Sequence, residues 1–148
     1  MSIKDLVDEI LVLDASTDKT PEIVEDLREN QGLPVKLHRM RLGDMAYTRN
    51  LGLSMTKHKW ILIWDADFIL KEEATKFLKK LLKNMDERRY YLVYWPHICL
   101  DGDLMHQDPV NPLHVEHWLF TWSPKLHYAK VGYSDSLIAP SLLLRCVY

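Results

Sequence analysis

Cysteine is scarce in this chain: Cys99 and Cys146 are the only two among 148 residues. Two are too few for a disulfide framework or a zinc ribbon. Both fall in apolar, strand-like context, which predicts buried thiols and a reducing compartment. A basic excess is missing as well. The formal net charge is -2, and without surplus cations to neutralise phosphates the composition argues against a nucleic-acid binder. Lys79, Lys80 and Lys83 do cluster, but they alternate with Leu78, Leu81 and Leu82, the pattern of a solvated helix face. No apolar run reaches the ~18 residues that would span a bilayer. Asp8 and Glu9 interrupt the early apolar stretch, which has no basic leader or cleavage site, so no signal peptide is expected. These absences predict a cytoplasmic protein. The apolar closing segment, 137–144, contains Pro140 and is too short to span; it predicts a core strand or an interface and leaves room for peripheral contact with a membrane surface.

What is present is ordinary for a globular domain, at 47% hydrophobic and 27% charged residues. The length suits one domain with its own core over residues 1–148. Ile10, Leu11, Val12 and Leu13 form a short continuous apolar run, as in a parallel strand covered on both faces. After a polar turn, Thr20 is placed to cap a helix with Pro21 at its first position and Ile23, Val24 and Leu27 as its apolar stripe. Asn30, Gln31 and Gly32 end it. A second strand follows at 35–38, and Asp44 can cap a helix carrying Met45, Leu51, Leu53 and Met55. A third strand at 60–64 and an amphipathic helix at 71–85 complete a β-α-β-α-β-α order. That order predicts a parallel sheet with helices on both faces. Beyond the aromatic strand at 90–95, the chain is richer in Pro, His, Asp and Trp. Short strand candidates at 113–122, 126–131 and 142–148 suggest a mixed or antiparallel second half.

The segment Trp64-Asp65-Ala66-Asp67 closes the third apolar run and carries the most chemistry. It delivers two carboxylates, one residue apart, to a strand's C-terminal end, where open α/β sheets bind ligands. Carboxylates that close repel each other unless a cation or a proton lies between them. The natural occupant is a hard divalent ion, Mn²⁺ or Mg²⁺, that also grips substrate phosphates.

Three motifs in order resemble those of family 2 glycosyltransferases. Residues 9–20, ending Asp14-Ala15-Ser16-Thr17-Asp18-Lys19-Thr20, are similar to the family's second-strand motif. Thr48-Arg49-Asn50-Leu51-Gly52 resembles its A-R-N-x-G helix, and residues 60–67 match its DXD strand. The resemblance implies a three-layer α/β/α GT-A-like fold, with a nucleotide-sugar donor half at 1–95 and an acceptor half at 96–148. It implies a nucleotide-diphospho-sugar donor, a glycan, lipid or protein hydroxyl acceptor, a divalent metal, and inversion at the anomeric carbon. Asp14 would face the nucleotide base or ribose, and Asp44 and Arg49 would lie near the donor. Asp65 and Asp67 would bind the metal and diphosphate, while Asn50 and Gly52 shape the helix and its packing. The family's first strand and most of its first helix have no counterpart here, as expected of a fragment or a shortened protein. An exposed sheet edge left that way would favour pairing with a second copy. A non-catalytic nucleotide-sugar-binding module is the alternative such shortening leaves open.

Glycosyl transfer also needs a general base for the acceptor hydroxyl. The candidates are Asp101, Asp103, Asp108, Glu116 and Asp135. Asp135 is favoured because Tyr133-Ser134-Asp135-Ser136-Leu137 resembles a V-H-E-x-L stretch of some relatives, with Asp in place of Glu. His106, His114, His117 and His127 suggest zinc, but on a strand His114 and His117 would point to opposite faces. One of them could complete the metal–diphosphate shell instead. Of Trp95, Trp118 and Trp122, one is expected to line the acceptor cleft.

Overall fold

Eleven elements follow one another along the chain: β1 (Ile10–Asp14), α1 (Thr20–Glu29), β2 (Val35–Arg39), α2 (Met45–Met55), β3 (Trp60–Leu62), α3 (Glu72–Lys83), β4 (Tyr90–Ile98), β5 (Leu113–Thr121), β6 (His127–Val131), β7 (Ser134–Ile138) and β8 (Leu144–Val147). The structure is a computed structural model, and it describes residues 2–139 and 144–147. The expected closing strand is therefore described only as β8; residues 140–143 and 148 lie outside the described residues. The chain is α/β, with two compact units interleaved along it. One is drawn from residues 1–56, 67–85 and 127–137, the other from 57–66, 86–126 and 138–148.

In the first unit β1 and β2 pair in parallel, from Ile10 opposite Val35 to Asp14 opposite Arg39. Ile10, Val24 and Val35 form the centre of the core, with Val12, Leu27, Leu33 and Leu37 packed around it. Helix α1 presents Val24 and Leu27 to that core, whereas Ile23, expected in the same stripe, is exposed. Lys19 takes the cap position rather than Thr20, and the Asp18 carboxylate accepts the Thr20 N–H at 2.9 Å. Gly32, at φ 63°, supplies the left-handed turn after the helix, and Leu33 N–H closes it on the Leu27 carbonyl at 3.1 Å.

Helix α2 starts where the sequence places it. Asp44 accepts the Tyr47 N–H at 2.6 Å, satisfying one of the amides that a helix start leaves without an internal partner. Gly52 brings the helix against β1: a Cβ there would meet Leu13 Cδ1 at 3.3 Å. Helix α3 carries Glu72 and Glu73 in its first turn and Lys80 and Lys83 in its last, complementing the helix dipole at both ends. Strands β6 and β7 form a two-stranded sheet, turned by Gly132 at φ 64°.

The second unit holds a four-stranded sheet in the order β3-β5-β4-β8. Strand β3 runs antiparallel to β5, with Trp60 opposite Thr121 and Leu62 opposite Leu119. The Ile63 N–H donates to the Trp118 carbonyl at 2.8 Å and extends the ladder by one bond. Strand β4 is antiparallel to β5 and parallel to β8. Phe120 and Thr121 are fully buried, beside Tyr91, Val93 and Leu119. The Thr121 hydroxyl accepts the Tyr91 N–H at 2.7 Å, and Trp60 stacks on Tyr91 with centroids 5.9 Å apart.

Strand direction and thiol burial also need correction. The parallel pairing predicted for the first half is seen between β1 and β2, but the third strand pairs antiparallel with β5. A short apolar run shows that a strand is covered on both faces, not which way its neighbour runs. The cysteines are also less buried than their context implied: Cys99 is half-buried and Cys146 is exposed. Cys146 lies on β8, the outermost strand described in its sheet.

Candidate functional site

Strand β3 ends at Leu62, short of the Trp64 expected from the sequence, so Asp65 and Asp67 lie beyond the strand, in the segment that leads towards α3. Asp65 is half-buried and Asp67 exposed. Among the described residues neither carboxylate is engaged in a hydrogen bond or ion pair. Nor does any group of three or more His, Cys, Asp or Glu among the described residues form a metal cage. Two free carboxylates therefore offer what a shared ion takes. Magnesium uses one or two carboxylates and draws its remaining oxygens from substrate phosphates and water. The donor set fits an ion that arrives with a diphosphate.

Asp14 is placed differently. It ends β1 as a buried side chain, 5% exposed, accepting the Ser16 N–H at 3.0 Å and an ion-paired hydrogen bond from Arg39 at the end of β2. Arg39 also donates to the Ser16 carbonyl at 2.9 Å. Hydrogen bonds from Ser16 and the nearby Arg39 charge hold the Asp14 carboxyl below the usual carboxylate range, against the opposing effect of burial. The next acid, Asp18, is lowered by hydrogen bonds from Thr20 and Ser16. The 14–18 turn is thus tied together by hydrogen bonds around one ion pair. Arg39 was not singled out in the sequence; its role follows from the parallel register, which puts it opposite Asp14.

On α2, Asp44 is occupied as the helix cap, while Arg49 lies with its guanidinium carbon 5.1 Å from the centroid of the Tyr128 ring on β6. Asn50 bonds the Tyr128 backbone at both its amide and its carbonyl. Tyr128, itself buried, is a second residue the sequence did not point to. The expectation that Asn50 and Gly52 serve packing agrees with these contacts.

The structure sorts the candidate bases. Asp103 accepts the Met105 and His106 N–H groups at 2.7 and 2.9 Å and faces the His106 ring. Asp108 accepts those of Val110 and Asn111 at 2.7 and 3.0 Å. Both carboxyls are held below the usual range, chiefly by these backbone hydrogen bonds. A lowered, already satisfied carboxylate is a poor proton acceptor, so these two are turn formers of the 99–112 excursion. Asp101 is exposed in the same loop. Asp135 is half-buried on β7, and among the described residues its side chain is unengaged.

Glu116 sits on β5 with His114 Nε2 at 2.7 Å and His117 Nδ1 at 3.5 Å. Strict alternation would have separated these two imidazoles. A register shift between Val93 and Trp95 places an additional residue on the β5 side, and both rings reach the same carboxylate. Opposite His114 on β4 lies His97, with ring centroids 5.2 Å apart. Burial, and then the neighbouring His114, hold His97 below its ordinary value. His106 and His127 are exposed elsewhere. Trp95, Trp118 and Trp122 are each half-buried.

Comparison with known proteins places the chain in a family. The family profile described as Glycosyl transferase family 2 matches residues 2–133. Over 77 residues the chain is 34% identical to the protein named Glycosyltransferase GlyG of Streptococcus pneumoniae serotype 4 (strain ATCC BAA-334 / TIGR4). That stretch covers 52% of this chain and 26% of that protein's length. No helix among the described residues is long and apolar enough to cross a membrane.

Proposed function

This chain belongs to glycosyl transferase family 2, and from that membership we propose that it moves a sugar from a nucleotide-diphosphate donor to a hydroxyl acceptor, with inversion at the anomeric carbon. One observation carries the reading. Within the matched segment, Asp65 and Asp67 lie between β3 and α3 with free carboxylates and no third protein ligand among the described residues. Such a pair suits a Mn²⁺ or Mg²⁺ ion shared with the donor diphosphate. When bound, that ion would neutralise the charge that develops on the leaving diphosphate.

The chain's own residues divide the remaining work. Asp14 and the turn it holds shape the nucleotide side, its carboxylate fixing the turn through Ser16 and Arg39. Arg49 and the α2 start at Asp44 flank the donor. Asp135 takes the proton of the acceptor hydroxyl as that oxygen bonds the anomeric carbon. The carbon's bond to the diphosphate oxygen breaks, and the nucleoside diphosphate leaves with the electron pair. An unengaged, half-buried carboxylate suits this task better than the hydrogen-bonded Asp103 and Asp108. Placement in the cytoplasm, with contact to a membrane-borne acceptor, is consistent with this chemistry.

Titration calorimetry with UDP and GDP, with and without Mn²⁺, tests the donor site. Metal-dependent binding is expected, weakened roughly tenfold or more by Asp65→Ala or Asp67→Ala. Equal binding by both variants would remove the site. Sugar release from a bound donor then separates an enzyme from a binding module.

A further inference from the structure

Asn50 holds the β6–β7 hairpin by both ends of its amide. Its Nδ2 donates to the Tyr128 carbonyl at 2.8 Å, and the Tyr128 N–H donates to its Oδ1 at 2.7 Å. This two-bond exchange is what a neighbouring strand residue would offer in an antiparallel ladder. A side chain can imitate it only if it carries a donor and an acceptor side by side, as a carboxamide does. The contact joins positions 78 residues apart in the chain, and the Tyr128 ring adds the Arg49 guanidinium at 5.1 Å.

Helix α2 is itself fixed on its other side. Asp44 caps its start, and Gly52 allows Leu13 of β1 to approach. The helix therefore packs against both β1 and β6. Strand β6 pairs with β7, and β7 carries Asp135. A hairpin of two short strands has little stability alone. Its position must come from what it docks on, and the Asn50 amide supplies two directional bonds among those contacts.

We propose that Asn50 is a positioning residue, whose amide bracket on the Tyr128 backbone sets the place of the β6–β7 hairpin and so of Asp135. The catalytic consequence rests on the reading of Asp135 as general base; the bracket stands without it. Asn50→Asp keeps the shape and the acceptor, but sets a carboxylate against the Tyr128 carbonyl in place of a donor.

The test compares wild type, Asn50→Asp and Asp135→Asn in the full chain. Amide hydrogen exchange is followed over residues 128–137, and hydrolysis of UDP-glucose and GDP-mannose is measured with Mn²⁺, water standing as acceptor. For Asn50→Asp, exchange in the hairpin is expected to accelerate about tenfold or more, with α1 and β1 unchanged. Its kcat should fall while the donor KM stays within about twofold, the split expected when only the reacting geometry moves. Should that variant fail to fold, Asn50→Gln keeps both amide functions one methylene further out; it should retain hairpin protection and lose kcat. Wild-type exchange in the hairpin of Asn50→Asp overturns the bracket. Lost protection with unchanged kcat, where Asp135→Asn is inactive, overturns the positioning role. If Asp135→Asn keeps wild-type kcat, the base assignment fails by itself, and the bracket is judged on the exchange of Asn50→Asp. If neither donor is hydrolysed, the carbon chemical shift of the Asp135 carboxyl group at neutral pH replaces kcat, read in the uncharged Asn50→Gln: a changed shift supports positioning and an unmoved one overturns it.

Discussion

Asp14 ends β1 with its carboxylate committed to the Ser16 amide and to Arg39. Because these partners favour the charged form, the folded-state carboxyl titrates below its unfolded counterpart. The stabilisation is therefore fully present above the unfolded carboxylate range and is lost as pH falls through the lowered folded value. Asp14→Asn keeps an acceptor for Ser16 but loses the ion pair. Its melting temperature is expected to lie below wild type at neutral pH, with the gap closing in acid below that range; a gap independent of pH would contradict the ion-pair account. The sequence could mark Asp14 as chemically important but not name Arg39, because the pairing depends on the β1–β2 register. Asp44 was legible for the opposite reason. A helix cap is a local event, and its partner, Tyr47, stands three residues away. Asn50 was legible as a packing residue but not as a bracket, since Tyr128 lies far along the chain.

Elements were read well where the periodicity is their own and poorly where a neighbour decides. Helix α2 appears where its Asp44 cap and apolar spacing put it, and α1 and α3 appear where their apolar spacing puts them, α1 without the expected Thr20 cap. The partner of β3 was not readable, because a run such as Trp60, Ile61 and Leu62 satisfies a covered strand in either direction. The irregularity in β5 was hidden too: one additional residue opposite β4 changes which histidines meet Glu116, and no composition signal announces it. Gly52 offers an element-scale test. Alanine there gains about 0.8–1.0 kcal/mol of helix propensity, and its Cβ would meet only the flexible end of Leu13, at 3.3 Å. Gly52→Ala should therefore be close to neutral in stability. Gly52→Val adds two methyl groups against β1 and should destabilise by about 1–3 kcal/mol, the usual range for overpacking, as read by urea unfolding. A Gly52→Val protein as stable as wild type would show that α2 does not need that close approach.

At the scale of the molecule, the two interleaved units carry different reporters. All five tryptophans, Trp60, Trp64, Trp95, Trp118 and Trp122, belong to the second unit. The three helices described belong to the first. Tryptophan fluorescence thus follows one unit, and the helical signal in far-ultraviolet circular dichroism follows the other. The chain passes between the units at 56/57, 66/67, 85/86, 126/127 and 137/138. With so many crossings, disordering either unit releases the ends of segments in the other, so the two signals should lose structure in one transition. Ile10→Val tests this coupling. It trims a methylene from the core of the first unit, where Ile10 is 8% exposed, and should cost about 0.5–1.5 kcal/mol. The urea midpoint read by tryptophan fluorescence should move by as much as the one read by circular dichroism. A shift confined to the helical signal would mean that the units unfold separately.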